Sequence, residues 1–407
     1  MKVLVLSQHF WPESFRINDV VADLVRVGCE VEVLTGQPNY PEGSIYAGYT
    51  ALSAGREAYR SGIVVHRVPL VPRGGGRAVR LAANYLSFIC AASLLGPWLL
   101  RGRRFDAVFV YGTSPILQAL PGVLIKHLKG VPLVIWVQDL WPESLEVTGF
   151  VRSKRILGWV ATVVRWLYRR ADLLLVQSEA FVPSVAAMAG NTPVLYHPNP
   201  GEAMLEASAG DLPPQVPLEA GAFNVVFAGN LGTVQALETV LDAADRLRDH
   251  GDIRIVLVGG GSRAEWVQQE IARRGLQNVQ LPGKFPSASM PDLMRRASVL
   301  LVSLSRQPIL AQTVPSKLQT YLASGTPIIA ALDGEGARVV REAGAGLACP
   351  AEDAKALAAA ILHLRSLPAD ERARMGAAGR RFFLQHFEPL ALAERLASRM
   401  RSARSRG

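Results

Sequence analysis

Residues 2–34 read KVLVLSQHFWPESFRINDVVADLVRVGCEVEVL, and this stretch holds a strand, a helix and a second strand. The apolar run Lys2–Leu6 predicts a buried strand. Apolar residues then recur at helical spacing and predict an amphipathic helix over Phe15–Val27. A second apolar run, Glu30–Leu34, predicts the next strand. Two strands joined through a helix are typical of a parallel sheet.

The same alternation continues along the rest of the chain. The further predicted strands are Ile63–Val68, Ala107–Tyr111, Leu133–Val137, Leu173–Val176, Phe223–Phe227, Arg254–Val258, Val279–Leu281, Val299–Val302 and Pro327–Ala331. The segment Pro198–Ala222 interrupts the pattern, because it is rich in Pro and Gly and has no long apolar run. Such a composition is typical of a linker. Helices are predicted over Ala354–Leu367 and along the Ala/Arg-rich tail Ala369–Met400.

We therefore predict an α/β protein with two Rossmann-like parallel-sheet domains that face each other across a cleft. The predicted domains are residues 1–200 and 223–385, with a linker over 201–222. A C-terminal helix over 386–407 is predicted to pack back on the first domain. Ligands of open parallel sheets bind beyond the carboxyl ends of the strands. We therefore expect the functional residues in the loops that follow the strands.

The composition of the 407 residues excludes several classes of protein. Hydrophobic residues make up 49% of the chain and charged residues 19%, which excludes a disordered protein. The three cysteines are scattered, so neither a disulfide framework nor a cysteine zinc site is expected, and a reducing compartment fits. The seven histidines show no H-x-x-x-H or H-x-x-E-H spacing, so no metal site or cofactor is expected. The first apolar run is too short for a signal peptide.

The positive charge of the chain is concentrated in one stretch. The net charge is +10, and residues 73–170 alone hold 14 Lys or Arg against 4 Asp or Glu. Within this stretch, Leu81–Leu100 has no charged residue and has the length of a membrane span. Arg152–Arg170 combines cations with Trp159 and Trp166, as a helix that lies on anionic lipid does.

Three interpretations of this basic stretch stay open. They are docking on an anionic membrane surface, a true membrane span, and a buried helix pair with a solvated basic face. Polar residues, Gly96 and Pro97 dilute the apolar run, and Arg residues flank both of its ends, which favours docking over a span. Nucleic acid is not an expected partner, because the stretch matches none of the known nucleic-acid-binding motifs.

The loops after two first-half strands carry the same tetrapeptide, WPES, at residues 11–14 and 141–144. The repeated Glu and Ser either cap equivalent turns or face one substrate from two sides. Asp139 stands just before the second copy, where a buried strand ends. A carboxylate there orients or activates a hydroxyl, unless it only caps a turn. Arg16, beside a predicted helix start, marks either an anion site or an ordinary capped helix.

Two second-half loops are suited to binding a phosphate group. Residues 259–263, GGGSR, lie between a strand and a helix, where backbone amides cradle phosphate and Arg263 adds charge. Pro315 and Ser316 start a helix whose free amides point into the predicted cleft, with Lys317 as a cation unless it is simply solvated. The loop that contains Glu335 follows the next strand, where the carboxylate either caps a helix or contacts a ligand.

Seven motifs occur in a fixed order along the chain. They are QHFWPESFRIND at 8–19, LTGQPNYPEG at 34–43, WVQDLWPES at 136–144, FAGNLGTVQALETVLDAA at 227–244, GKFP at 283–286, VPSKLQTYLASGTPI at 314–328 and DGEGARVVREAG at 333–344. Together they resemble the retaining family-4 glycosyltransferases with the GT-B fold. Within that family, the chain is similar to the bacterial colanic-acid and O-antigen L-fucosamine transferase branch.

The resemblance implies sugar transfer in exopolysaccharide or O-antigen synthesis. The sugar would be N-acetyl-L-fucosamine or a related deoxyhexose, moved with retention and without an obligatory metal. The donor, UDP-linked, would bind the second domain, and a polyprenyl-diphosphate-linked acceptor would bind the first domain at the cytoplasmic face of the inner membrane. The implied catalytic residues are Asp139 and Lys317. The implied donor-binding residues are Gly229, Asn230, Gly260, Gly261, Arg263, Lys284, Ser316, Thr320 and Glu335. The implied acceptor-binding residues are Glu13, Arg16, Asn18 and Glu143.

The chain departs from the family pattern at two positions. Many relatives carry two glutamates eight residues apart, where this chain has Gln312 and Thr320. The second glutamate usually holds the donor's ribose. Thr320 cannot bridge both ribose hydroxyls as a carboxylate does. Either Glu335 or backbone groups take over the ribose contact of the missing glutamate, or the nucleotide is held differently.

Two other functions stay compatible with the sequence. A UDP-sugar 2-epimerase also uses two such domains with a nucleotide between them, but it needs no lipid-facing surface. A non-catalytic, membrane-bound scaffold would explain the missing glutamates. Hydrolysis of the donor without an acceptor separates an enzyme from a scaffold.

Overall fold

The structure is a computed structural model that describes residues 1–60, 62–75, 78–147, 153–201 and 214–404. The chain divides into two compact units. Unit 1 comprises Met1–Pro198 together with Pro389–Gly407, and unit 2 comprises Asn199–Glu388. Most of the predicted linker, residues 202–213, lies outside the described residues.

Unit 1 is built on an eight-stranded sheet. Its strands are β1 (Lys2–Leu6), β2 (Glu30–Gly36), β3 (Gly55–Tyr59), β4 (Ile63–Val68), β5 (Ala107–Gly112), β6 (Leu133–Val137), β7 (Leu173–Val176) and β8 (Val194–Tyr196). Their order across the sheet is β3-β4-β2-β1-β5-β6-β7-β8. All neighbouring strands are parallel except β3, which pairs antiparallel with β4 at the edge.

Helices cover both faces of this sheet. Those in the first part of the chain are α1 (Ile17–Arg26), α2 (Ala78–Leu99), α3 (Leu120–Lys129), α4 (Glu143–Val147), α5 (Lys154–Arg170) and α6 (Phe181–Ala189). In β1, Leu4 and Leu6 belong to the core under α2, α3, α5 and α6, whereas Val3 and Val5 belong to the core under α1. Burial on both faces explains why the strands are apolar throughout.

Unit 2 has a six-stranded sheet in which all strands are parallel. The strands are β9 (Phe223–Asn230), β10 (Ile253–Gly260), β11 (Val279–Gly283), β12 (Val299–Ser303), β13 (Ile328–Ala331) and β14 (Gly346–Cys349), in the order β11-β10-β9-β12-β13-β14. The helices are α7 (Leu237–Arg246), α8 (Ala264–Arg274), α9 (Met290–Arg296), α10 (Pro308–Ala311), α11 (Ser316–Ser324), α12 (Glu335–Glu342), α13 (Ala354–Ser366) and α14 (Ala369–His386). Two apolar cores fill the two faces of the sheet.

The tail that is predicted to be helical over Ala369–Met400 forms two helices. α14 ends at His386, and α15 (Pro389–Arg404) begins at a proline. A proline lacks the backbone N–H that a helix interior needs but is well suited to a helix start, which explains the break. α14 belongs to unit 2, and α15 belongs to unit 1, where Leu396, Ala397 and Met400 join the core around α1.

Three short edge elements, β3, β8 and β14, were not predicted from the sequence. β3 reads GREAY and is mostly exposed, so it lacks the apolar run that marks the buried strands. β8 has only three residues. Strands β9 and β10 also run two or more residues further than predicted, to Asn230 and Gly260. These extensions matter, because they carry backbone to the edge where the site described below is found.

Candidate functional site

A pocket of about 500 Å³ opens in unit 2 at the carboxyl ends of β9 and β12. Its floor and one side come from the end of β9, from Gln235 and from the start of α11. The residues that line it are Ala228, Gly229, Asn230, Gln235, Ser287, Met290, Pro291, Met294, Val302, Leu304, Pro315, Ser316, Lys317, Thr320 and Tyr321. The carboxyl edge of a parallel sheet is where ligands of such folds bind.

Glycines let the ends of β9 and β10 approach each other closely. Gly229 pairs with Gly259 in the parallel ladder, and both have positive φ, 138° and 139°. A Cβ at Gly259 would lie 1.9 Å from the carbonyl oxygen of Gly229, and a Cβ at Gly229 would lie 3.0 Å from Cε of Lys317. No other residue fits these two positions without displacing the backbone or the lysine.

Lys317 is the outstanding polar group of the pocket. Its side chain is half-buried as a whole, but the Nζ atom itself is buried and has no hydrogen-bond partner. Nζ lies 3.2 Å from the centroid of the Phe227 ring. Burial lowers the pKa of Lys317 to about 7. An unpaired buried ammonium is costly, so an anion in the pocket would be strongly favoured.

The start of α11 adds hydrogen-bond donors beside this cation. The first amides of a helix have no intrahelical partner, and the helix dipole places partial positive charge there. Ser316 is exposed at this end. One turn later the Thr320 hydroxyl donates to the Ser316 carbonyl at 3.3 Å. The Tyr321 hydroxyl is buried, where it donates to the carbonyl of Ala228 and accepts from the amide of Ala228. Tyr321 thereby fixes α11 against β9.

The opposite wall of the pocket is apolar. It consists of Met290, Pro291 and Met294 from α9 with Val302 and Leu304 at the end of β12. Methionine side chains are flexible, and their sulfur atoms make favourable contacts with aromatic rings. The pocket therefore offers a cation and free amides on one side and a surface for a flat apolar group on the other.

Five of the predicted donor-side residues line this pocket. They are Gly229, Asn230, Ser316, Lys317 and Thr320. Gly260, Gly261 and Lys284 lie on the neighbouring strand ends instead. Lys284 is exposed, and its aliphatic stem lies along Gly260, since a Cβ there would be 2.3 Å from Cε of Lys284.

Arg263 and Glu335 already have protein partners in this structure. Arg263 pairs with Glu238 and lies over the Trp266 ring, with 3.9 Å between the guanidinium carbon and the ring centroid. Glu335 forms an ion pair with Arg338 at 3.0 Å on its own helix. Neither residue is among those that line the pocket, so a direct ligand contact by either one would require it to leave its partner.

Sequence reasoning missed the whole apolar wall and two polar neighbours. Met290 and Met294 stand four residues apart on a helix, a spacing that by itself indicates core packing. Gln235 and Tyr321 lie within recognised motifs, but nothing in their identity distinguishes a pocket residue from a packing residue. Only the ends of β9 and β12 beside α9 and α11 bring these side chains together.

In unit 1, Asp139 follows β6 and meets the neighbouring strand end. Its carboxylate accepts a hydrogen bond from the backbone N–H of Ser114 at 2.9 Å, just after β5. The Trp141 indole N–H donates to the Ser114 hydroxyl, also at 2.9 Å. The carboxylate is half-buried, so part of it still faces solvent. The structure thus gives Asp139 a positioning bond and leaves it accessible.

Two tyrosines show which charges surround Asp139. Burial raises the pKa of Tyr111 well above its ordinary value, while Arg16 lowers it and Asp139 raises it further. Burial likewise raises the pKa of Tyr85, with Arg73 and Asp139 acting in opposite directions. Asp139 and Arg16 therefore both act on the Tyr111 hydroxyl, and Asp139 and Arg73 both act on the Tyr85 hydroxyl.

The structure corrects the predicted acceptor role of Glu13. Its side chain is 1% exposed, and one oxygen accepts from the amides of Asn39 and Tyr40 at 2.6 and 2.7 Å. The other oxygen is 2.9 Å from Nδ1 of His9. With both oxygens engaged inside the protein, Glu13 holds the loop after β1 against the loop after β2.

Asn18, in the first turn of α1, has a similar structural role for the same loop. Its side-chain oxygen accepts from the Trp11 amide at 3.0 Å, and its NH₂ group donates to the Glu13 carbonyl at 2.7 Å.

The two WPES copies are not equivalent. Glu13 is buried and Ser14 exposed, whereas Glu143 is exposed and Ser144 buried. Of the four predicted acceptor-side residues, Glu13 is buried, whereas Arg16, Asn18 and Glu143 are at least partly exposed to solvent.

Two sequence families match successive parts of the chain. Residues 14–200 match the family described as "Glycosyl transferase 4-like domain", and residues 222–366 match "Glycosyl transferases group 1". The two matches fall on unit 1 and unit 2 in turn. The chain belongs to the glycosyltransferases. The pocket with Lys317 lies inside the second matched region.

Two curated relatives place this glycosyltransferase in the colanic-acid and O-antigen type of branch. It is 29% identical over 349 residues to the Escherichia coli K12 protein named as the colanic acid biosynthesis glycosyl transferase WcaI, covering 80% of this chain and 82% of that one. It is 24% identical over 328 residues to the Pseudomonas aeruginosa protein named as the glycosyltransferase WbjE, covering 79% and 80%.

Solved structures show that this glycosyltransferase has the GT-B fold. Anabaena HepE in complex with UDP superposes with a TM-score of 0.67 at 16% identity, covering 99% of this chain and 100% of that chain. The sucrose-phosphate synthase of Thermosynechococcus elongatus superposes with a TM-score of 0.69 at 17% identity, covering 100% of both chains. The predicted family and fold class are confirmed.

Proposed function

We propose that the protein transfers a deoxyhexose, N-acetyl-L-fucosamine or a close relative, from a UDP-linked donor to a polyprenyl-diphosphate-linked saccharide. Transfer would retain the anomeric configuration and need no metal. The product would be an intermediate of exopolysaccharide or O-antigen synthesis. The observation that carries this proposal is the buried, unpaired Nζ of Lys317 at the start of α11, inside the unit 2 pocket.

The pocket fits the two ends of a nucleoside diphosphate. The diphosphate would lie against Lys317 and the first amides of α11, and the base would lie against the apolar wall of Met290, Pro291 and Met294. The HepE complex supports the choice of UDP, because that protein of the same fold was solved with UDP. Among the described residues that line the pocket there is no carboxylate, so the ribose would be held by Thr320 and backbone groups.

Charge development on the leaving group explains how this arrangement would accelerate transfer. The bond between C1 of the sugar and the diphosphate oxygen breaks while C1 bonds to an acceptor hydroxyl on the same face. The hydroxyl proton passes to the leaving diphosphate. Lys317 and the α11 amides are fixed where negative charge grows, which lowers the barrier without reorganisation.

Asp139 would act on the acceptor side of the reaction. Its bond to the Ser114 amide fixes the carboxylate, and its accessible part would accept a hydrogen bond from the acceptor hydroxyl or the transferring sugar. Arg16 acts on the same Tyr111 hydroxyl as Asp139 and would hold an anionic part of the acceptor, such as its diphosphate. We place the protein at the cytoplasmic face of the inner membrane, where such lipid-linked acceptors are found.

A donor panel tests the proposal. The purified protein is incubated with UDP-, dTDP- and GDP-linked sugars without acceptor, and products are followed by NMR. We expect slow hydrolysis of UDP-linked deoxyhexoses, with release of the sugar in the same anomeric form. Appearance of a C2 epimer would instead indicate the epimerase. A folded protein that neither binds nor hydrolyses any donor would indicate the scaffold.

A further inference from the structure

α2 presents an apolar stripe on its outer side. Its exposed residues between positions 81 and 99 recur at every fourth position: Ala82, Leu86, Cys90, Leu94 and Trp98. The inner side of the helix supplies Phe88, Ala92 and Leu99 to the core of unit 1. Leu94 is 76% exposed and Trp98 66% exposed. Large apolar side chains that are this accessible along one line indicate an interaction surface.

α3 and α5 extend this stripe into a broader face. Both helices pack in the same core as α2, and α3 lies beside both α2 and α5. Their exposed apolar side chains are Leu124, Leu128, Ile156, Trp159 and Trp166. We call the outer side of α2, α3 and α5 the three-helix face. Trp is typical of side chains that lie at the level of lipid headgroups.

The charges of the three-helix face all have one sign. The sequences of α2, α3 and α5 contain no Asp or Glu. Arg80, Lys154, Arg155 and Arg169 are exposed on α2 and α5, and Arg101 and Arg104 are exposed just after α2. None of these six forms an ion pair with a residue in the described ranges. Arg77 and Arg152 belong to the same basic stretch but lie outside the described residues.

We propose that the three-helix face docks on an anionic lipid bilayer, with α2 lying in the plane of the headgroups. This deepens the proposed function, because it assigns the surface that would bring the enzyme to a lipid-linked acceptor. Cations around an apolar face match acidic headgroups above acyl chains. A second copy of the chain fits poorly, since pairing this face with itself would bring like charges together.

α2 is long and apolar enough to cross a membrane, with a mean hydropathy of 1.5. Its inner side argues against a span. Asn84 accepts a hydrogen bond from Gln8 at 2.7 Å and donates to the Val71 carbonyl at 2.7 Å, deep in unit 1. A spanning α2 would break these bonds and remove Phe88 and Ala92 from the core. An in-plane helix keeps both.

The chain itself offers a depth probe for this proposal. Cys90 is exposed at the centre of the stripe, whereas Cys29 and Cys349 are buried. A thiol-reactive fluorophore is placed on Cys90 and, in a Cys90→Ser background, on Leu86→Cys and Leu94→Cys. Quenching by brominated lipids then gives the depth of each probe in phosphatidylglycerol/phosphatidylethanolamine vesicles. We expect one shallow depth at all three positions. A depth that changes steadily along the helix would overturn the in-plane orientation.

Substitutions test which side chains hold the face on lipid. Lys154→Glu/Arg155→Glu/Arg169→Glu should lower the partition coefficient to these vesicles by at least about 100-fold, since each lost cation contributes roughly fivefold and the added glutamates are repelled by the anionic surface. Leu94→Gln/Trp98→Gln should also lower the partition coefficient relative to the wild type, and the size of this decrease should not depend on the salt concentration. Two control variants carry comparable changes at exposed positions outside the three-helix face. They are Lys355→Glu/Arg246→Glu/Arg381→Glu for the charge reversal and Leu52→Gln/Leu384→Gln for the apolar substitutions. The controls should float like the wild type.

Two results would overturn the docking proposal. One is wild-type protein that floats with neither anionic nor phosphatidylcholine vesicles. The other is a dimer in solution that Leu94→Gln/Trp98→Gln dissociates, which would assign the face to a second copy. Donor hydrolysis without vesicles is measured on the same samples. Because donor hydrolysis needs neither vesicles nor a lipid-linked acceptor, its loss speaks against the proposed function and leaves the docking result unaffected.

Discussion

The ammonium of Lys317 lies over the ring of Phe227 with no hydrogen-bond partner, so its free energy depends on what fills the pocket. The sequence identified this lysine through its position at a helix start and through the family motif. The sequence did not show that Nζ is buried, because burial depends on β9 and β12 from distant parts of the chain. The opposite error occurred at Glu13, whose motif suggested a substrate contact but whose carboxylate serves the loop.

Replacing Lys317 tests its role in transfer. Lys317→Met keeps the stem and removes the charge, and we expect kcat to fall by about 100- to 1000-fold. The fall should appear in donor hydrolysis as well as in transfer, because both break the same bond. Lys355→Met, at an exposed position of α13, serves as the control. Normal turnover by folded Lys317→Met protein would place the diphosphate elsewhere.

The lowered pKa of Lys317 predicts a pH dependence of donor binding. Below about pH 7 the amine is charged, and affinity for a nucleotide sugar should be constant. Above about pH 7 the Lys317 amine of the empty site is neutral, and it must take up a proton to bind the diphosphate. The affinity for the nucleotide sugar should therefore decrease by up to about tenfold per pH unit. Titration calorimetry in buffers of different ionisation enthalpy should show proton uptake near pH 8. Lys317→Met should abolish both effects, and a flat profile in the wild type would contradict the assignment.

The stability of the empty protein should change with pH in the opposite direction to donor affinity, because it should rise as pH increases above about 7. Burial favours the neutral amine in the folded state, so the charged lysine costs stability below about pH 7, and this cost fades as pH approaches the ordinary value of 10.5. Lys317→Met should therefore raise Tm at pH 6 and change it little near pH 10. An equal effect at both pH values would mean that the charge is not what destabilises the empty site.

Asp139 is predicted to affect turnover more than donor affinity. Asp139→Asn keeps the shape and still accepts from the Ser114 amide, but it carries no negative charge. We expect kcat for transfer to decrease by about 100-fold or more, while Kd for the nucleotide sugar stays the same. Donor affinity that collapses while turnover of bound donor is normal would make Asp139 a structural cap or donor ligand.

At the scale of elements, most of the strands followed from apolar runs, and β1, β4, β6 and β7 have the predicted bounds. The pocket depends on features that a run of apolar residues does not encode. β9 and β10 continue past their apolar residues through Gly229 and Gly259, and this continuation is what places backbone against Lys317. The break between α14 and α15 likewise follows from one proline rather than from composition.

Gly259→Ala tests the close approach of β9 and β10. The added methyl would meet the Gly229 carbonyl oxygen, and the positive φ is unfavourable for alanine. We expect a loss of about 1–3 kcal/mol from backbone strain alone, with weaker donor binding because Gly229 supports Lys317. Urea unfolding measures the loss of stability, and titration calorimetry measures the affinity for the donor. Gly251→Ala, where a Cβ would meet nothing within 4 Å, is the control. Equal stability of both variants would contradict the packing described.

At the scale of the whole molecule, the charge excess and the pocket belong to different units. Residues 73–170 lie in unit 1, and the pocket lies in unit 2. The sequence alone left span, docking and burial open for the apolar run. The structure narrows this choice because the inner side of α2 is part of the unit 1 core and its outer side is exposed. A periodicity calculation cannot make this distinction when both sides of a helix are apolar.

The proposed transfer is tested most directly by the mass added to a polyprenyl-diphosphate-linked saccharide by the wild type and by Lys317→Met. Both proteins are incubated with UDP-N-acetyl-L-fucosamine and the acceptor in anionic vesicles, and products are measured by mass spectrometry. The proposed transfer predicts addition of one deoxyhexosamine residue by the wild type and about 100- to 1000-fold slower addition by the variant. Equal rates, or no product and no donor hydrolysis by folded wild-type protein with any nucleotide sugar, would contradict it.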